Sequence, residues 1–141
     1  MTSRREAFMA AAHASLAAMY PARIVERGIQ DSAAVGDAAL RQGVYQLIAE
    51  GTKNWTEYTG REGEYGRLAF SVLADGRLPG AGGSTLDVEQ LEAVMEDELL
   101  QWVRALKAEP LDAIYPIECT YSGGLEAPNA WIVMRLEAMY V

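Results

Sequence analysis

His13 and Cys119 are the single histidine and the single cysteine of this chain, so nucleophilic or metal chemistry would have to be built around one of each. One histidine excludes a multi-histidine metal site. A Ser-His-Asp arrangement would rest on His13 alone, with no serine in a nucleophile-elbow sequence to join it. His13 lies in an alanine-rich run and reads as a surface or half-buried structural residue. Cys119 lies in a strand-like segment and reads as a small core residue.

Glu92, Glu96, Asp97 and Glu98 crowd one stretch, and Glu92 and Glu96 stand four apart, on one face of a helix. Paired carboxylates can perform acid/base or metal chemistry. No Glu-x-x-His accompanies them, and an apolar stripe accounts for the opposite helix face. The expected role is an acidic surface that is solvated or faces another subunit.

Gly80-Ala81-Gly82-Gly83 superficially resembles a phosphate loop between a strand and a helix. It lacks the Gly-Lys-Ser/Thr triplet and the full dinucleotide fingerprint, and Asp87 and Glu89 would repel an anion, so it reads as a connector. A further set, Trp55, Tyr58, Arg61, Tyr65 and Arg67, mixes aromatic rings and guanidinium groups. Such residues stack nucleotides or anchor protein contacts, and folding of the segment on itself is the third reading. Net acidity favours the protein contact. These patterns give no catalytic, cofactor-binding or metal-ligating residue, and the expectation is a protein that is not an enzyme and uses no cofactor.

The elements that position these residues follow from periodicity. Ser3 and Glu6 have capping-box spacing, and Phe8, Ala11, Ala12, Leu16, Met19 and Tyr20 recur at helical intervals up to Pro21, predicting a helix over 4–20. A short strand is expected over 23–29, a helical turn over 37–41 and an apolar strand over 44–48, with a bulge at Gly51. Residues 54–74 read as a long hairpin whose distal half protrudes. Ser84 or Thr85 caps the best-defined helix, over 86–108, on which Val88, Leu91, Met95, Leu99, Trp102 and Leu106 form one apolar stripe. Segments 114–121 and 130–141 read as a second hairpin. In its last strand Ile132, Met134, Leu136, Ala138 and Tyr140 face the core. The expected fold class is α+β, a mainly antiparallel sheet of about four or five strands packed against two main helices.

Composition bounds the function. A chain of 141 residues with 50% hydrophobic and 23% charged residues fits a single folded domain, 1–141, with its own core. A formal net charge of −8 excludes a general coat on nucleic acid, because Lys and Arg drive such binding by releasing counterions from phosphates. A lone cysteine forms no internal disulfide, and Met1 to Arg5 is not followed by an apolar signal region. Synthesis in the cytoplasm is expected. No stretch approaches the ~20 apolar residues of a membrane span.

Several segments together resemble the tail terminator and related minor tail proteins of long-tailed bacteriophages. They are the helix from Arg4 to Tyr20, Leu40-Arg41-Gln42-Gly43-Val44-Tyr45 leading into a strand, and the strand Gly66-Arg67-Leu68-Ala69-Phe70-Ser71-Val72. The Leu86-Asp87 start of an acidic amphipathic helix and the final Arg135-Leu136-Glu137-Ala138-Met139-Tyr140 complete them. The resemblance implies a virion subunit without enzyme activity. It implies a homo-oligomeric ring, usually a hexamer, at the head-proximal end of the tail tube. There the ring stops tube growth and joins the tail to the head-tail connector or stopper protein, while DNA passes through without specific binding. The 51–66 excursion is longer than in the shorter members.

Within that picture, Trp55, Tyr58, Arg61, Tyr65 and Arg67 are expected at a protein interface, and Glu92 and Glu96 are expected to face the channel. A head-completion or neck protein is the nearest alternative. A small acidic protein-binding module and a small enzyme are alternatives from other classes, separated by mass in solution and by a ligand pocket with perturbed titrating groups.

Overall fold

The computed structural model describes residues 4–28, 36–53, 67–79, 84–106, 111–124 and 127–140. Helix α1 spans Arg4–Met19, strand β1 Ile24–Arg27, helix α2 Asp37–Gln42, strand β2 Val44–Lys53 and strand β3 Arg67–Arg77. Helix α3 spans Thr85–Ala105, strand β4 Leu111–Tyr121 and strand β5 Asn129–Tyr140. The chain has an α+β fold, as its periodicity predicts.

The five strands form one mixed sheet in the order β1-β2-β3-β5-β4. β2 pairs antiparallel with β3, β3 with β5 and β5 with β4, while β1 runs parallel to β2 with Ile24 opposite Val44. A parallel neighbour needs a crossover rather than a tight turn. Here the crossover carries α2, which ends at Gly43, where φ is +95°. A side chain at that position would also strike the Arg23 guanidinium, because an added Cβ lies 2.6 Å from its Nη1.

Of the hairpin expected over 54–74, residues 54–66, with its protruding distal half, lie outside the described residues. β3 pairs with Val44–Lys53 along the whole of β2, so the arms of the hairpin are β2 and β3. Between Ala49 and Gly51 the register shifts and Glu50 is left over, which is the bulge expected at Gly51. Past the bulge β2 continues to Lys53.

Alternation divides the sheet into two faces. On one lie Tyr45, Leu47, Leu68, Phe70, Val72, Ala74, Ala130, Ile132, Met134, Leu136 and Ala138, all buried. Phe8, Met9, Ala12 and Leu16 of α1 and Val88, Met95, Leu99, Trp102 and Val103 of α3 belong to the same core. Phe8 meets Phe70 edge-on with ring centroids 5.3 Å apart. Each fully buried side chain of Leu or Phe size contributes about 1.5–3 kcal/mol. At Gly76 an added Cβ would lie 3.2 Å from Leu91 and 3.5 Å from the Met95 sulfur, so glycine lets α3 approach β3 closely.

Polar struts fix the layers to one another. Arg23 donates to both Glu98 carboxylate oxygens, at 3.1 and 2.7 Å, and to the Gln42 carbonyl at 2.9 Å. Its guanidinium lies 5.7 Å from the centre of the Tyr45 ring, and the Tyr45 hydroxyl donates to Glu98 at 2.8 Å. A bidentate Arg–carboxylate pair constrains direction as well as distance. The start of β1 is thereby tied to the middle of α3.

Candidate functional site

The sequence-singled residues scatter over the fold. Trp55, Tyr58, Arg61 and Tyr65 lie outside the described residues, as does the 80–83 glycine run. Arg67 opens β3 with its side chain 3.8 Å from Glu137, a loose ion pair. His13 turns its Nε2 to the Val25 carbonyl at 2.9 Å, bridging α1 to β1. That is the structural role its surroundings predict.

Glu92 is the main correction. Expected on an exposed acidic surface facing a channel, it is 2% exposed. Its Oε2 accepts from the Ser122 amide at 3.0 Å, the Ser122 hydroxyl at 2.6 Å and the Trp131 amide at 3.2 Å. The reason is angular. Glu92 stands three residues before Met95 and four after Val88, so it lies within the buried stripe and not opposite it. The carboxylate is tolerated there because the turn between β4 and β5 turns donors toward it.

Above Glu92, α3 and that turn enclose a cleft of about 380 Å³ lined by Glu89, Glu92, Ala93, Glu96, Asp97, Tyr121 and Gly123. Glu96 is half-buried in its wall and interacts with the Tyr121 phenol and the Cys119 thiol. A hydrogen bond to the Glu96 carboxylate, more than desolvation, pushes the Tyr121 hydroxyl up to about 12. Cys119 is pushed up to about 12 as well, chiefly by burial and then by Glu96. Such a thiol is almost wholly protonated at neutral pH and is a poor nucleophile. Oε1 of Glu92 and Oε2 of Glu96 are both shielded from solvent without a hydrogen-bond partner.

Among the described residues, no group of three or more His, Cys, Asp and Glu side chains is placed to hold a metal ion. Periodicity located the acidic stretch. The turn expected at Ser122-Gly123-Gly124 is present, but its place against α3 was not foreseen, because Ser122, Gly123 and Trp131 approach α3 only through β4–β5 pairing.

A second feature lies at the sheet edge. β4 has β5 on one side, and its Tyr115, Ile117 and Tyr121 are 48%, 53% and 52% exposed. Six residues of extended chain spread these side chains over about 20 Å. Pro116 and a register shift between Pro116 and Glu118 interrupt the strand between them. No helix among the described residues is long and apolar enough to cross a membrane. No protein-family model matches this chain, and no curated protein matches its sequence.

Proposed function

We propose that this chain is a structural subunit of a long-tailed phage virion, a tail terminator whose copies form a ring that caps the tail tube and joins it to the head-proximal connector. The observation that carries the assembly part of this reading is the β4 edge. Three large side chains of one strand stand half in water, each with apolar surface that a neighbouring protein would remove from solvent. Tyrosine is among the residues enriched where protein contacts concentrate their energy.

The tail-specific part rests on the resemblance of the segments from Arg4 to Tyr140, together with charge. A net charge of −8 suits a ring through which DNA slides, since it offers phosphates weak repulsion in place of attraction. Glu92 has no part in that repulsion at a channel wall, being buried behind the β4–β5 turn. Partners on this reading are other copies of the chain, the tail tube protein and the connector or stopper.

Electron microscopy of the purified chain, alone and mixed with isolated tail tubes, tests the proposal, with mass measurement alongside. Closed rings, or a cap at one tube end that stops lengthening, are expected. A chain that remains monomeric and ignores tubes overturns it.

A further inference from the structure

We propose that the cleft between α3 and the β4–β5 turn is a binding site for an organic cation, a guanidinium or alkylammonium group held by Glu92 and Glu96. The inference is independent of the tail assignment, since it is argued from the cleft alone.

Four carboxylates, those of Glu89, Glu92, Glu96 and Asp97, line one space of about 380 Å³. Crowding them has a cost. Glu92 and Glu96 stand at i,i+4, and Glu89 stands three before Glu92, spacings at which like charges destabilise a helix by about 0.2–0.5 kcal/mol per pair. Charge density alone would describe any acidic helix. What separates this one is Glu92, which is 2% exposed and has satisfied only half of its carboxylate.

Three donors converge on Glu92 Oε2, while Oε1 has none. Glu96 repeats the pattern, with an interaction to Tyr121 and Cys119 but an Oε2 that lacks a partner. A buried acceptor without a donor costs roughly 1–3 kcal/mol, more where it is charged. Both orphaned oxygens belong to side chains that line the same cleft, so one ligand bearing several N–H donors relieves both once it parts those side chains.

The shape selects among cations. The acidic side chains do not converge tightly enough on one point to hold a metal ion. A ligand with donors spread over several ångströms fits better, and guanidinium presents five N–H donors in a plane. The half-exposed ring of Tyr121 at the rim adds an aromatic face for a cation. Ala93 and Gly123 leave room for the aliphatic stem that would carry the charged group.

Two sources offer this chemistry, a free polyamine and a basic side chain on a second copy of the chain. Amide NMR of the full chain, titrated with methylguanidinium and separately with spermidine, tests the site. Saturable shifts centred on Tyr121, Ser122, Gly123 and Trp131 are expected, with the Tyr121 phenol titrating lower in the bound state. Glu96→Gln should weaken binding about tenfold or more. Should that variant fold poorly, the exposed pair Glu89→Gln and Asp97→Asn replaces it.

Shifts that never saturate and spread over every acidic residue overturn the proposal, as does undiminished binding by the variants. Calcium ions giving the saturable shifts where both organic cations fail overturn it too. Sedimentation with added methylguanidinium separates the sources. Loss of self-association identifies the ligand as a side chain of another copy, and unchanged mass with saturable binding identifies a free cation.

Discussion

Glu92 does at the residue scale what a backbone cap does at a helix end. One carboxylate oxygen accepts from two amides and a hydroxyl, holding Ser122 of the β4–β5 turn and Trp131 of β5 against α3. Replacement by alanine removes all three hydrogen bonds and leaves the buried Ser122 hydroxyl without its acceptor, while the Ser122 amide keeps the Trp131 carbonyl at 3.1 Å. Glu92→Ala should lose about 3 kcal/mol or more, since each hydrogen bond to a charged group is worth about 1.5–3 kcal/mol and part of the loss is offset by relieving repulsion from Glu96. Urea unfolding read by tryptophan fluorescence measures it, and a loss under 1 kcal/mol would show that the carboxylate does not hold the turn.

The same corner sets an alkaline limit. Cys119 and Tyr121 are both held protonated to about 12, so the folded state binds their protons more tightly than the unfolded chain does. Stability from this source is complete below the unfolded values, 9.0 for the thiol and 10.0 for the phenol, and is lost as pH rises through about 12. Denaturant midpoints should therefore fall between pH 9 and pH 12. In Glu96→Gln the fall should be shallower, because the carboxylate that raises both groups is gone.

At the scale of elements, α3 is the best specified. Ser84 accepts from the Asp87 amide at 3.1 Å, and the Asp87 carboxylate returns to the Ser84 amide at 3.1 Å, a complete capping box. Ser84→Ala should cost about 1 kcal/mol in thermal or urea unfolding. The β4–β5 turn docks beside that cap. Gly124, at φ +77°, would place a Cβ 2.3 Å from the Thr85 methyl, so the helix start and the turn fit together only with glycine there.

Local signals made these elements legible and tertiary ones did not. The stripe from Val88 to Trp102 and the alternation from Ile132 to Ala138 each report a buried face, and the structure buries those faces. The Gly51 bulge was legible from glycine alone. The parallel pairing of β1 with β2 was not, because no pattern within residues 23–29 encodes the direction of a neighbouring strand. Glu92 was misplaced for a related reason. Residue type sends glutamate outward, and its angular position sends it inward, but the donors that decide between them lie 30 residues or more along the chain. Of the expected interface set, Arg67 alone lies among the described residues, paired with Glu137.

For the whole molecule, the remaining matter is how one copy meets the next. A five-stranded sheet has two edges, here the four-residue β1 and the eleven-residue β4. A long edge strand invites pairing by backbone hydrogen bonds, which would extend the sheet from copy to copy without closure. β4 resists this. Pro116 has no amide hydrogen to donate, and the shift that leaves Ile117 over breaks the regular spacing of donors and acceptors. Copies that meet at this edge must therefore do so mainly through side chains, with Ile117 at the centre of the exposed trio. Ile117→Asp should leave the fold within about 0.5 kcal/mol of wild type, as surface substitutions usually do, yet abolish rings. Ala substitution of Tyr115 or Tyr121 should weaken them in proportion to the apolar area removed. Urea midpoints establish that each variant is folded, and sedimentation with electron microscopy reads assembly. Intact rings from folded Ile117→Asp would exclude the β4 edge as the contact between copies.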